Sequence, residues 1–486
     1  MNRDFFRPFF IIALAAILVG LIAMALPAWD NDVFPIRKMP WFSALRSRPT
    51  LVDSTAYAAL KAEHVPSALD PFRHSLQAMP VAEGKKALME HKSGPSQGRL
   101  RIAYYSDSTI EGDLITAPLR HSFQNAYGGK GVGMMPITSI VSGFRQTIRH
   151  SFSRNWESLS FMSFKKPDIS LGITGYTFIP RPYYSAHVSV EEPDSTAVSA
   201  DSSAVSDSLA VMEKDAVKQA TTRIYVNEDP WVEYKAVDIA GGAGSFDRIR
   251  LFYSHASDSS SVQVSYEAHN PQTFRLSSGG AVNMLDISPV QPVKSVKLIF
   301  SRHDPLYVYG VSFDSRTGVF VDNYPIRGYS GMYFNRIHES VLKDFQQYLN
   351  YDLVILQYGE NVSNPANKDY NNYKNAMQKT VNHIQDALPG VPILIVSAHD
   401  RSIKDASGYH TSPDIPILVK AQSELALKTG AAFFNLYEAM GGQNSMISYV
   451  QQNPPLASSD YTHFNRRGAD HVAKMLLQFI VGKSDE

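Results

Sequence analysis

The first segment of the chain with a clear pattern is Leu100-Arg101-Ile102-Ala103-Tyr104-Tyr105, which is nearly all apolar and too short for a helix. Such a run reads as a buried strand. The polar turn Ser106-Asp107-Ser108 follows it, and Leu114, Leu119 and Phe123 then recur at helical spacing. Strand, tight turn, helix is how an α/β protein presents a residue at the carboxyl edge of its sheet. From about residue 166 to 305 the rhythm changes to short segments rich in β-branched and aromatic residues, such as 248–253, 261–266 and 296–300, separated by turn clusters. That spacing predicts a β-sandwich. After Gly310 the α/β pattern returns. Residues 352–357, 391–396 and 431–435 read as strands, 370–388 as a helix stopped by Pro389-Gly390, and 468–481 as a closing helix with one apolar face. The fold class expected is α/β, a three-layer domain with a parallel sheet, formed by residues 98–165 and 306–486 and interrupted by an all-β sandwich insertion over 166–305. Within the insertion, the Ser/Ala/Asp-rich tract 194–220 has little to bury and is expected to be flexible.

The N-terminus adds a location. Arg3 and Arg7 precede an uncharged apolar run from Phe9 to Leu26, and Asp30 and Asp32 follow it. Basic before and acidic after orients the remainder of the chain out of the cytoplasm. The run is long enough to span a bilayer, while Ala23-Met24-Ala25 resembles a cleavage site, so residues 1–27 are either a retained anchor or a signal peptide. Both export the protein to the periplasm or cell envelope. Residues 28–97 form an N-terminal extension with no assigned chemistry, including a helical stretch near Thr55–His64.

Composition mainly excludes. Lys plus Arg equals Asp plus Glu at 46 each, so no basic field draws the chain to nucleic acid. There is no cysteine, which removes disulfides, thiol nucleophiles and thiolate metal sites. No His, Asp or Glu grouping has the spacing of a zinc site, so neither metal nor cofactor is expected.

What remains is serine chemistry. Acyl transfer by serine needs a base, a carboxylate to orient it and donors for the oxyanion. Ser108 lies on the strand-to-helix turn. Asp460 and His463, in Ser458-Ser459-Asp460-Tyr461-Thr462-His463, stand just before the closing helix, close enough in sequence to face one serine together. Asn361, in Gly359-Glu360-Asn361 after a strand, can offer a side-chain amide, and Gly328 and Ser108 can offer backbone amides. Singly, each is commoner as a turn or cap residue; their order along the chain is what singles them out. Asp107 reads as a structural hydrogen-bonder, His399-Asp400 as a substrate contact or a solvated turn, and the aromatic residues of 221–313 as core more readily than as a sugar platform.

These residues resemble the blocks of the SGNH (GDSL-like) hydrolase superfamily. The resemblance implies Ser108 as nucleophile, Asp460 and His463 as its acid and base, and Ser108, Gly328 and Asn361 as the oxyanion hole. One departure is Ser106, where the first block usually has glycine. The segments 308–313, 318–322, 326–328, 356–361, 440–442 and 460–464 are further similar to bacterial peptidoglycan O-acetylesterases, which carry a carbohydrate-binding-like β-sandwich between the first two blocks. That likeness implies an acetylated polysaccharide, peptidoglycan in the first place, as substrate. The alternatives are O-acetyl transfer by the same triad, or a non-catalytic glycan-binding wall protein.

Overall fold

The computed structural model describes residues 66–82, 84–85, 98–163, 168–188, 220–267, 269–303 and 305–482. The apolar run 9–26 and the stretch 55–64 lie outside them, as does the tract 194–220 apart from its last residue.

Five strands form a parallel sheet: β1 (Arg99–Ser106), β2 (Gly318–Pro325), β3 (Leu353–Gln357), β4 (Ile393–Val396) and β5 (Ala432–Phe434). Their spatial order is β2-β1-β3-β4-β5, a doubly wound arrangement whose switch point lies where the order reverses at β1. Register is parallel throughout, with Ser106 of β1 opposite Pro325 on one side and Gln357 on the other. Side chains alternate across the sheet. Leu100, Ile102 and Tyr104 enter one buried cluster, whereas Ala103 and Tyr105 enter another. Helices α1 (Asp70–Gln77), α2 (Thr116–Tyr127) and α6 (Arg466–Val481) cover the first face. Helices α3 (Glu339–Leu349), α4 (Asn371–Ala387) and α5 (Ile415–Thr429) cover the second. The expected three layers are therefore present. Within the N-terminal extension, Phe72 and Leu76 of α1 are core residues, and Arg73 donates to the carbonyls of Phe479 and Ile480 at the end of α6.

Two antiparallel sheets lie between β1 and β2 in sequence. One holds strands 272–275, 261–266, 295–300, 231–236 and 148–152; the other 283–286, 248–254, 307–314, 176–180 and 156–160, with 133–135 added alongside 307–314. Val232, Tyr234, Val262 and Leu298 of the first share a core with Leu251, Val308, Val311 and Phe313 of the second. The antiparallel region thus starts well before residue 166 and runs past 305. Strands 133–160 and 307–314, grouped from the sequence with the α/β part, pair antiparallel here. Period-two patterning shows that a segment is a strand without showing which strand it pairs with.

A buried ionic cluster joins this region to the parallel sheet. Arg101 of β1 is fully buried, yet its guanidinium donates to Asp322 of β2 at 2.6 and 2.7 Å and to Asp314 at 2.7 Å. Asp314 also accepts from Arg250 of strand 248–254. Burial opposes ionisation of both carboxyls, and the arginines overcome it, so each is held below its ordinary range. Arg101 stands in the middle of an otherwise apolar strand because this cluster supplies every charge with a partner.

Candidate active site

The carboxyl ends of β1, β3 and β4 deliver Asp107-Ser108, Gly359-Glu360-Asn361 and His399-Asp400 to one edge of the sheet, and the turn after β2 delivers Gly328. Asp107 caps the 3-10 turn Ser108–Asp113: its Oδ1 accepts from the Thr109 amide at 2.9 Å and the Thr109 hydroxyl at 2.7 Å. That leaves Ser108 at the turn's head. Ser106, in place of the usual glycine, ends β1 without a positive φ, and its hydroxyl donates to the Gln357 carbonyl at 2.6 Å. Serine is therefore accommodated. Gly328 and Gly359 do need their glycines. The first has φ +75°, and the second has φ +142° with a would-be Cβ only 2.8 Å from that of Ala398.

Asp460 organises its own loop. Its Oδ1 accepts from the amides of Thr462 and His463 at 3.0 Å each, an Asx-type turn, while its Oδ2 accepts from His463 Nδ1 at 2.7 Å. Partial burial pushes the carboxyl up, but the hydrogen bonds from His463 and Thr462 outweigh it and hold Asp460 below its ordinary range. With Nδ1–H donated to Asp460, the other ring nitrogen, Nε2, faces Ser108 Oγ at 3.4 Å. A serine proton has a base in reach, and the base has its orienting acid. The side chains of Asp460 and His463 are about half exposed (49% and 51%), so water reaches the pair.

The amides of Ser108 and Gly328 have no hydrogen-bond partner among the described residues. Asn361 differs. Its Nδ2 donates to Asp107 Oδ2 at 2.8 Å and to the Tyr329 carbonyl at 3.1 Å. The side chain thus bridges the serine turn and the Gly328 turn, with both amide protons engaged in the resting state.

Beneath the site lie His399 and Glu360, the second of which sequence reasoning gave no role of its own. His399 donates Nε2–H to the Thr462 carbonyl at 2.8 Å, and its Nδ1 lies 3.1 Å from Glu360 Oε1, which also accepts the His399 amide at 3.2 Å. Burial, reinforced by Asp107, raises the Glu360 carboxyl to about 8, and burial lowers the His399 imidazole. At neutral pH this is a protonated acid beside a neutral imidazole, not an ion pair. Through Thr462 it steadies the loop that carries Asp460 and His463. The expectation that His399-Asp400 touches substrate or forms a solvated turn is corrected. Both are buried, and Asp400 accepts from Thr411 Oγ1 and the Met446 amide. Burial of charged residues next to a strand end has no local sequence signal. Asp107, read as a structural hydrogen-bonder, is buried and bonded to Thr109 and Asn361 as described.

Comparison with solved structures finds a peptidoglycan O-acetylesterase superposing with a TM-score of 0.59 at 19% identity, over 86% of this chain and 96% of that one. An acetyl xylan esterase (TM-score 0.25, 16% identity, 32% and 79% coverage) and a putative GDSL-like lipase from Parabacteroides merdae (0.26, 18%, 34% and 73%) are also similar in part. No family model matches the sequence, and no curated protein does. The β2-β1-β3-β4-β5 sheet, its helical layers and the length over which the first of these structures superposes together show that this chain shares the fold of that solved peptidoglycan O-acetylesterase.

Proposed function

We propose that the chain is a serine esterase that removes O-acetyl groups from a cell-envelope polysaccharide, peptidoglycan in the first place. The observation that carries this reading is the relay from Asp460 Oδ2 through His463 to Ser108 Oγ, at 2.7 and 3.4 Å, beside the two unpaired amides of Ser108 and Gly328. Ser108 Oγ attacks the acetyl carbonyl as His463 Nε2 takes its proton. The oxyanion that forms is met by the amides of Ser108 and Gly328 and by Asn361 Nδ2. His463 returns the proton to the departing sugar oxygen, leaving an acetyl-serine. Water, deprotonated by His463, then releases acetate. The half-exposed Asp460 and His463 favour water as the second acceptor and so hydrolysis over transfer to another sugar.

The two antiparallel sheets between the first and second blocks are read as an inserted sandwich of the carbohydrate-binding kind, holding polymer near the site. Residues 9–26 are read as the exporting segment, anchored or cleaved. Likeness to a peptidoglycan O-acetylesterase over most of both chains supports this choice of substrate. The test is acetate release from purified O-acetylated peptidoglycan, with acetylated xylan as the comparison polymer. Ser108→Ala is expected to abolish release while circular dichroism stays unchanged. Substantial residual release by a folded Ser108→Ala protein would remove Ser108 from its role.

A further inference from the structure

The loop that carries acid and base holds a tyrosine in a costly conformation between them. Tyr461 follows Asp460 directly, stands two residues before His463, and has φ +57°. In this left-handed region Cβ crowds a carbonyl oxygen, so a tyrosine stays there only where its surroundings hold it. The bonds within the loop act on its backbone. Asp460 Oδ1 accepts from the amides of Thr462 and His463, and the Tyr461 amide donates to the Ser458 carbonyl at 3.2 Å. The Tyr461 ring is engaged by another element.

That element is a two-stranded arm after β4, in which Ser402–Asp405 pairs antiparallel with Gly408–Thr411. Its root is well fixed. Thr411 Oγ1 donates to Asp400 at 2.8 Å, the Ser412 amide donates to the Arg401 carbonyl at 2.8 Å, and the Thr411 amide donates to Asn444 Oδ1 at 3.0 Å. The arm meets the Tyr461 turn twice. At its base, the Ser402 amide donates to the Tyr461 carbonyl at 3.0 Å. Farther along, the Tyr409 ring stacks on the Tyr461 ring, with centroids 3.8 Å apart and planes 12° from parallel. Lys404, opposite Tyr409 in the register, sets its ammonium 5.3 Å from the centre of the Tyr409 ring. Tyr409 is 40% exposed, so it fills no core, and its ring is spent on this stack.

We propose that Tyr409 is a positioning residue for the catalytic relay: its ring clamps Tyr461 in the left-handed conformation and so fixes Asp460 and His463, which flank it, with Nε2 toward Ser108. The half-exposed side chains of Asp460 and His463 receive little orientation from packing, which leaves the backbone between them to supply it. A Tyr461 released to an ordinary negative φ would redirect the chain between acid and base and part Oδ2 from Nδ1. This deepens the esterase reading given above and rests on it for the role of the relay.

Four variants of the full chain test the clamp: Tyr409→Ala, Tyr409→Phe, Tyr461→Gly, and Tyr409→Ala combined with Tyr461→Gly. Circular dichroism checks that each folds. Tyr409→Ala is expected to lower kcat for 4-nitrophenyl acetate about tenfold, less than the roughly 10²-fold of a 1 Å misplacement. KM should change little, since orientation is lost and binding is not. Tyr409→Phe keeps the stacking ring and should restore kcat. Glycine reaches the left-handed region without a clamp, so adding Tyr409→Ala to Tyr461→Gly should slow it no further. Amide hydrogen exchange over residues 458–465, read by mass spectrometry, should quicken in Tyr409→Ala and stay normal in Tyr409→Phe, and it requires no turnover. A normal kcat in Tyr409→Ala, equal losses in the alanine and phenylalanine variants, or an undiminished effect of Tyr409→Ala in the Tyr461→Gly background overturns the proposal. Absence of acetate release by the unaltered protein from every acetyl ester would overturn the esterase reading instead, and the exchange measurement would still decide whether Tyr409 holds the turn.

Discussion

Asn361→Ala separates two jobs of one side chain, the bridge between two turns that the structure shows and the oxyanion donation proposed for it. In the resting site Nδ2 donates to Asp107 Oδ2 at 2.8 Å and to the Tyr329 carbonyl at 3.1 Å. Asp107 is 1% exposed, and its other oxygen is occupied by Thr109, so truncation leaves Oδ2 buried without this donor. The cost of an unmatched buried acceptor is about 1–3 kcal/mol of stability. The catalytic loss is separate. An oxyanion donor contributes mainly in the transition state, and removing one lowers kcat by about 10²–10³ with little change in KM. Here both protons are already committed, so donation to the oxyanion means releasing the longer bond, to Tyr329. Part of the gain is spent on that exchange, and the lower end, about 10²-fold, is the expected loss. Steady-state hydrolysis of 4-nitrophenyl acetate gives kcat and KM, and urea denaturation gives stability. Asn361→Asp should be at least as damaging, because it sets a second carboxylate against Asp107 and faces the oxyanion with like charge. A destabilised Asn361→Ala protein whose kcat stays within a few-fold of normal would show that Asn361 only braces the two turns, and would refute its place in the oxyanion hole.

Three further outcomes are expected. Asp460→Asn should lower kcat by about 10³–10⁴, because an amide cannot hold His463 in the tautomer that leaves Nε2 free; a change under tenfold would mean that Asp460 only shapes its turn. Glu360 in the folded chain is raised to about 8 from 4.5. The fold therefore holds a proton that the unfolded chain has lost, and Glu360's contribution to stability declines as pH rises between those values. Glu360→Gln, which keeps a donor toward His399 Nδ1, should show a smaller drop in urea midpoint from pH 5 to pH 9 (about the limits of that window) than the unaltered protein; an identical drop would contradict the protonated state. Arg101→Met leaves Asp314 and Asp322 buried without their main counter-ion and should cost about 3–5 kcal/mol in chemical denaturation. A loss below about 1 kcal/mol would mean that Arg250 and the neighbouring hydroxyls suffice.

Some of this protein is determined locally and could be read without a structure. The apolar runs ending at Ser106, Gln357 and Val396 are strands because strands buried on both faces need continuous hydrophobicity. Ser108 after the first of them, and Asp460 three residues before His463, are set by chain geometry alone. An Asx turn brings the Asp460 carboxylate and the His463 imidazole together within one loop. Other features depend on contacts between segments far apart in sequence. Residues 148–152 and 307–314 look like ordinary strands, and only their partners place them in the antiparallel sheets. Arg101 looks like an interruption of its strand until Asp314 and Asp322 are beside it. Glu360 and His399 lie on turns that are usually solvated, and become a buried neutral pair only because β3 and β4 end side by side beneath the Thr462 loop. Hydrophobic pattern and turn chemistry act over a few residues, so they specify elements and the residues those elements expose. Strand pairing, burial of charge and the partners of Asn361 depend on which elements meet, and that is decided by the packing of the whole chain.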